Sequence, residues 1–94
     1  MSDTRVSEIR VERLTEEQIK ALGTDTWTPW ECEPKTFDWH YDDNEDAYVF
    51  EGRVKVKTPQ GEVEFGAGDV VHFPKGLSCT WHVIEKIRKV YRFT

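Results

Sequence analysis

The stretch that most constrains this chain is FDWHYDDNEDAYVFEG, residues 37–52. It opens with rings on alternate residues, Phe37, Trp39 and Tyr41, the period of a strand with one apolar face. Polar residues 42–44 follow as a turn, with Glu45 at its edge, and then a second strand, Ala47-Tyr48-Val49-Phe50. Glu51-Gly52 suits a tight hairpin in which glycine takes positive φ. Glu45 is thus expected at the start of a buried strand beside a wall of rings, where a carboxylate is either paired or functional.

The rest of the chain follows the same grammar. Residues 53–57 alternate valines with cations, and Thr58-Pro59-Gln60-Gly61 has proline and glycine where a type I turn takes them. Residues 62–65, 70–73, 78–84 and 87–93 read as further strands, separated by turns at 66–69 and 74–76 and by a break at 85–86. Turn signals recur roughly every eight to twelve residues, the spacing of an antiparallel barrel or sandwich. Upstream, residues 6–13 read as one strand with Ile9 and Val11 on a shared face. Thr15-Glu16-Glu17-Gln18 is a capping box, and Gly23 ends the short helix it starts. Residues 27–32 are extended, and Pro29 and Pro34 confine them to an edge or a bulged strand. The expected fold is all-β, a small antiparallel jelly-roll barrel with one short N-terminal helix. It forms one domain over 1–94, with 1–26 covering the barrel and 27–94 as its core.

Ninety-four residues sit near the lower end of what buries a self-sufficient core, and four Trp, five Phe and three Tyr supply large buried area per residue. Thirteen basic residues against eighteen acidic ones give net −5, which argues against a nucleic-acid partner. No apolar run approaches a membrane span, and MSDTRVSEIR is not a signal peptide, so no membrane partner is expected. Cys32 and Cys79 fit no zinc spacing and read as reduced thiols of a cytoplasmic protein.

Glu45, six residues, then Gly52 is the second half of a motif written G-x5-H-x-H-x3-4-E-x6-G, the first motif of the cupins. Gly68, Pro74, Gly76, Cys79 and Val83 fall at the spacing of the second, G-x5-P-x-G-x2-H-x3-N. WECEP (30–34), YVFEG (48–52), FPKG (73–76) and TWHVIEKIRKVY (80–91) resemble the short single-domain branch of ethanolamine-utilisation Q proteins and ureidoglycine aminohydrolase domains. That resemblance implies a jelly roll, commonly dimeric, with a site inside the barrel. In metal-dependent cupins the motif histidines and glutamate hold an ion, but here only Glu45 matches. With a three-residue gap the histidine slots fall on Trp39 and Tyr41, and with a four-residue gap on Asp38 and His40. The second-motif slot is Cys79.

Strand alternation chooses between the registers. Phe37, Trp39 and Tyr41 share one face and Asp38 and His40 the other; a barrel this small is filled by side chains, so the rings point in. No metal cofactor is therefore expected. The alternative is a single divalent transition metal (Fe, Ni, Zn or Mn) held by Asp38, His40, Glu45 and Cys79. The same alternation puts Cys79 and Trp81 inward, and the resemblance weights Lys89 and Tyr91 as inward. The expected pocket is lined by Trp39, Tyr41, Glu45, Cys79, Trp81, Lys89 and Tyr91. Glu45, Tyr41, Cys79 and Lys89 are the candidate catalytic groups, and Trp39, Trp81 and Tyr91 the candidate ligand contacts. Glu45 and Lys89 also fit a buried structural ion pair, and Cys79 a small core hydrophobe.

These residues predict a small-molecule-binding cupin acting on a small polar or carboxylated metabolite. The alternatives are a metal-dependent enzyme of the dioxygenase, isomerase or aminohydrolase type, and a non-catalytic ligand-sensing or assembly protein. A homodimer is expected, with Trp27, Trp30 and the N-terminal strand covering a neighbour's edge.

Overall fold

The computed structural model describes residues 3–6 and 9–94. Eight strands, β1 (Asp3–Val6), β2 (Ile9–Arg13), β3 (Thr28–Cys32), β4 (Lys35–His40), β5 (Glu45–Thr58), β6 (Gly61–Gly66), β7 (Asp69–Phe73) and β8 (Ser78–Phe93), are joined by antiparallel pairings throughout. The helix α1 (Glu16–Leu22) and one 3-10 turn (Thr24–Thr26) complete them. This is the all-β jelly-roll architecture expected.

Two long strands make the spine. β5 and β8 pair along nearly their whole lengths, and each passes from one layer to the other as it goes. The first half of β5 pairs with β7, which pairs with β2, while β8 residues 87–91 pair with β3. The second half of β5 pairs with β6, while β8 residues 78–83 pair with β4. The hydrophobic core lies between the two layers and is built mainly from Val49, Val54, Val56, Val71, Phe65, Phe73, Trp81 and Ile87.

Gly52 lies inside β5 and makes no hairpin, which corrects the reading of Glu51-Gly52 as a turn. The register of β5 against β8 shifts between Val49 and Val54, and Gly52 takes φ 100° at the centre of that bulge. A Cβ there would stand 2.3 Å from the Lys86 carbonyl oxygen. Positive φ serves a bulge as well as a turn, and the bulge bends β5 so that it can serve both layers. Likewise 78–93 is one strand, unbroken at 85–86.

The N-terminal strand read over 6–13 is two antiparallel strands, β1 and β2; residues 7 and 8 lie outside the described residues. Helix α1 follows the sequence closely. Thr15 Oγ1 accepts from the Gln18 N–H at 3.2 Å, Gln18 Oε1 accepts from the Thr15 N–H at 2.9 Å, and Gly23 closes the helix with φ 72°. Trp27 is buried with Arg92 over its ring, and Trp30 packs against the chain's own core. Trp27 is therefore not free to cover a neighbour's edge in the manner expected.

Candidate functional site

Glu45 is the first residue of β5 and stands opposite Phe73 of β7 and Phe93 of β8. Asp46 points the other way, where its carboxylate meets His72 Nδ1 at 2.6 Å and accepts from Arg92 Nε at 3.1 Å. His72 Nε2 in turn meets Glu12 at 2.8 Å. This outer network ties β2, β7, β5 and β8 together directly behind Glu45, and so fixes the strand that aims the Glu45 carboxylate inward.

Lys89 lies between Trp30 of β3 and Val49 of β5 in the ladder. Its Nζ donates to Glu45 Oε2 at 2.7 Å, and both residues are 6 % exposed. Four rings stand round the ammonium, with centroids 5.0 Å away for Trp30, 5.0 Å for Trp81, 5.4 Å for Tyr91 and 6.0 Å for Phe73. The ring faces attract the cation, and the carboxylate neutralises it. Burial nevertheless holds the Lys89 pKa below the usual lysine value, with Glu45 opposing the fall through its charge and its hydrogen bond. Tyr41 is pushed far above the usual phenol range, first by burial and then by the charges of Glu45 and Cys79. Its hydroxyl stays neutral at any physiological pH.

A cavity of ≈ 140 Å³ opens beside this pair. Glu45, Lys89 and Trp81 line it together with Trp30, Phe37, Tyr41 and Tyr91, and Trp39 and Phe93 stand where it meets solvent, 52 % and 59 % exposed. A 150 Å³ apolar cavity is known to admit benzene, so the lumen has room for a molecule of about that size.

The structure brings together six of the seven residues expected in the pocket: Trp39, Tyr41, Glu45, Trp81, Lys89 and Tyr91. Cys79 is the exception. It is buried in the core with Trp81 and Val83, lines an outer cleft with Asp38 and His40, and does not border the lumen. Burial pushes its thiol up to about 11, with the Asp38 charge acting in the same direction, so it is no ready nucleophile. The Trp81 indole N–H is close enough to favour the anions of Cys79 and Tyr41. No acceptor among the described residues meets that N–H with hydrogen-bond geometry, so the attraction is weak. Trp39 also departs from the expectation that its ring fills the interior, since it stands half-exposed at the mouth, edge-on to Tyr41 at 6.5 Å.

The alternative metal set does not converge. Asp38 accepts from Thr80 Oγ1 at 2.8 Å and His40 Nδ1 meets Ser78 Oγ at 2.8 Å, both on the exposed outer face of β4. Glu45 is on the inside, facing an ammonium. Among the described residues no group of three or more His, Cys, Asp or Glu is placed to hold an ion. The donor set therefore does not fit a cupin metal.

Sequence reasoning left out Trp30, Phe37 and Phe93. Phe37 and Phe93 were already in phase with residues assigned inward. Trp30 reaches the lumen through the pairing of β3 with β8, a register that nothing local in the sequence signals.

The sequence profile of the EutQ-like cupin domain matches residues 19–91. A DUF861 family protein from Thermotoga maritima is 44% identical, over 93% of this chain and 100% of that one, with a TM-score of 0.90. A putative ethanolamine utilization protein Q from Salmonella typhimurium is 24% identical over 88% of this chain and 66% of its own, with a TM-score of 0.61. The EutQ protein of Clostridium difficile is 20% identical over 94% and 78%, with a TM-score of 0.62. The last two share the fold. No curated protein matches the chain. On the profile match and the Thermotoga relative together, the chain belongs to the family of EutQ-like cupin domains.

Proposed function

We propose that the protein binds one small organic molecule in the barrel lumen, a compound no larger than benzoate that carries a carbonyl or carboxylate oxygen. One observation carries the reading. Lys89 has three N–H donors, Glu45 is their only acceptor among the described residues, and Lys89 faces a ring-lined cavity. A ligand oxygen completes the ammonium's hydrogen bonds, and the rings receive a flat apolar body. The neutral Tyr41 hydroxyl is a further donor to the ligand.

Glu45 and Lys89 are the anchors in this reading, with Trp39, Trp81 and Tyr91 as walls. No metal takes part in it. Free Cys32 and Cys79 and the net charge of −5 support a cytoplasmic protein without a nucleic-acid partner. No helix among the described residues is long and apolar enough to cross a membrane.

The test is a nuclear magnetic resonance titration with carboxylates and carbonyl compounds graded in size from acetate to naphthoate. Benzoate-sized members are expected to shift the Trp30, Trp39 and Trp81 indole resonances saturably, and naphthoate to leave them unmoved. Indole shifts that fail to saturate with any member would remove the proposal.

A further inference from the structure

Lys89 is the only buried lysine among the described residues, and its amine borders the lumen. Its one hydrogen-bond partner among the described residues, Glu45, is at 2.7 Å, close enough to exchange a proton with it. Burial among the rings of Trp30, Trp81 and Tyr91 shifts the amine toward its neutral, nucleophilic form. Ion pairing alone requires the carboxylate and ammonium to meet, and they do so with a cavity of ≈ 140 Å³ at their side. An amine desolvated by rings, next to a carboxylate and open to a small cavity, is the arrangement that condenses with carbonyl compounds.

Resting on the lumen-binding reading above, we propose that Lys89 is a carbonyl-reactive lysine that forms an imine with a small aldehyde or ketone held in the lumen, with Glu45 shuttling the protons. Glu45 first takes a proton from the ammonium. The freed lone pair attacks the carbonyl carbon, the C–N bond forms, and the C=O π electrons move to oxygen, which receives the proton from Glu45. Glu45 then removes a second proton from nitrogen and delivers it to the hydroxyl. The C–O bond breaks, water leaves, and the nitrogen lone pair closes the C=N bond. The net change converts one ammonium and one carbonyl into one protonated imine and one water, with no oxidant or reductant. Charge is conserved, so the iminium keeps the Glu45 carboxylate and the surrounding rings as its partners.

The experiment incubates the whole protein with benzaldehyde and sodium cyanoborohydride, which reduces the protonated imine and spares the aldehyde, and maps the reduced adduct by peptide mass spectrometry. Lys20, Lys35, Lys57, Lys75 and Lys86 are all exposed and serve as internal controls. The expected result is benzylation of Lys89 at least about tenfold faster than at any of these, although it is the least accessible. Labelling that follows exposure overturns the proposal. Benzoate, of the same size and with the oxygen that the lumen reading requires but unable to form an imine, separates the two readings. If it shifts the indole resonances saturably and protects Lys89 from benzylation, both stand. If it binds and Lys89 is not trapped by benzaldehyde, the imine falls and lumen binding remains. If neither compound enters the lumen, both fall. Glu45→Gln is expected to slow benzylation of Lys89 by about tenfold while the surface lysines are unaffected. Should that variant fail to fold, protection by benzoate in the unaltered protein decides the matter alone.

Discussion

Lys89 Nζ and Glu45 Oε2 meet at 2.7 Å although the two residues are not cross-strand partners. Glu45 stands opposite Phe93, and Lys89 stands opposite Val49. The lysine stem therefore runs along the inside of β8 past Tyr91 to reach the carboxylate. Burial outweighs Glu45 in setting the direction of the Lys89 shift, the signature of a pair whose desolvation is not fully repaid by attraction. Such a pair contributes little net stability, yet losing one member strands the other. Lys89→Met and Glu45→Gln are each expected to cost about 3–5 kcal/mol in urea unfolding. The double variant Glu45→Met/Lys89→Met is expected to cost far less than the sum of the two singles. Single costs below about 1 kcal/mol would mean that the pair is solvated.

Burial of Cys79 makes stability depend on pH in the alkaline range. Its folded value of about 11 lies above the ordinary 9.0, so folding favours the neutral thiol. The native state then holds the extra proton, and this contribution is fully present below pH 9 and lost as the pH rises toward 11. Tyr41 acts in the same direction at the upper end, and Lys89, with its lowered value, acts in the opposite one. The quantity to measure is thus the difference in unfolding free energy between a Cys32→Ser protein and the same protein with Cys79→Ala. That difference is expected to narrow across this window. A difference that stays flat would show that the thiol is not shielded as described.

Much of this was readable from residue periods. The inward alternation of Ala47 and Val49 passes to Val54 and Val56, an odd-to-even slip across Gly52. A one-residue slip of that kind is the mark of a bulge, because a hairpin would reverse the chain rather than shift its phase. The slip was in the sequence, but a Glu-Gly dipeptide read on its own suggests a turn. Trp39, Tyr41, Glu45 and Trp81 were likewise legible from alternation and the cupin spacing, while Lys89 and Tyr91 were placed inward by the family resemblance. The role of Trp30 and the exclusion of Cys79 depend on long-range register and on barrel curvature, which no local period encodes.

Gly52 should tolerate nothing larger. Alanine would meet the Lys86 backbone, 2.3 Å from its carbonyl oxygen, at a φ of 100° that L-residues rarely adopt. Neither β5 nor β8 can give way without opening the spine. Gly52→Ala is expected to destabilise by about 2–4 kcal/mol in urea unfolding, while Gly76→Ala, whose Cβ would meet nothing within 4 Å, should cost only its backbone strain of about 1–2 kcal/mol. Equal costs for the two would refute the close-approach argument.

His40 separates the lumen from the outer face. It pairs with Ser78 across the exposed side of β4 and has no route to Glu45. His40→Ala should therefore change stability by less than about 0.5 kcal/mol and leave ligand-induced indole shifts intact. Protein purified without a histidine tag or chelator is expected to carry well below one equivalent of Mn, Fe, Ni, Cu or Zn. A full equivalent that disappears in His40→Ala would restore the Asp38/His40/Glu45/Cys79 site.

A homodimer is the expected assembly, though not through the buried Trp27. In the strand order of the larger layer β3 is terminal, so one side of its backbone has no partner strand among the described residues. Pro29 blunts that edge only in part, because it removes a single donor. Beside it Phe50 is 44% exposed on the outer face, with the Arg88 guanidinium 5.8 Å from its ring, and a cleft lined by Pro29, Glu31, Phe50 and Arg88 runs between them. An apolar ring next to an open edge is a self-complementary patch, and two-fold pairing would cover both at once. Sedimentation is expected to give twice the 11.1 kDa chain mass at micromolar concentration. Phe50→Asp should convert that species to the single chain without unfolding it. A single 11.1 kDa species in the unaltered protein would end the dimer proposal, and a dimer that survives Phe50→Asp would move the interface away from β3.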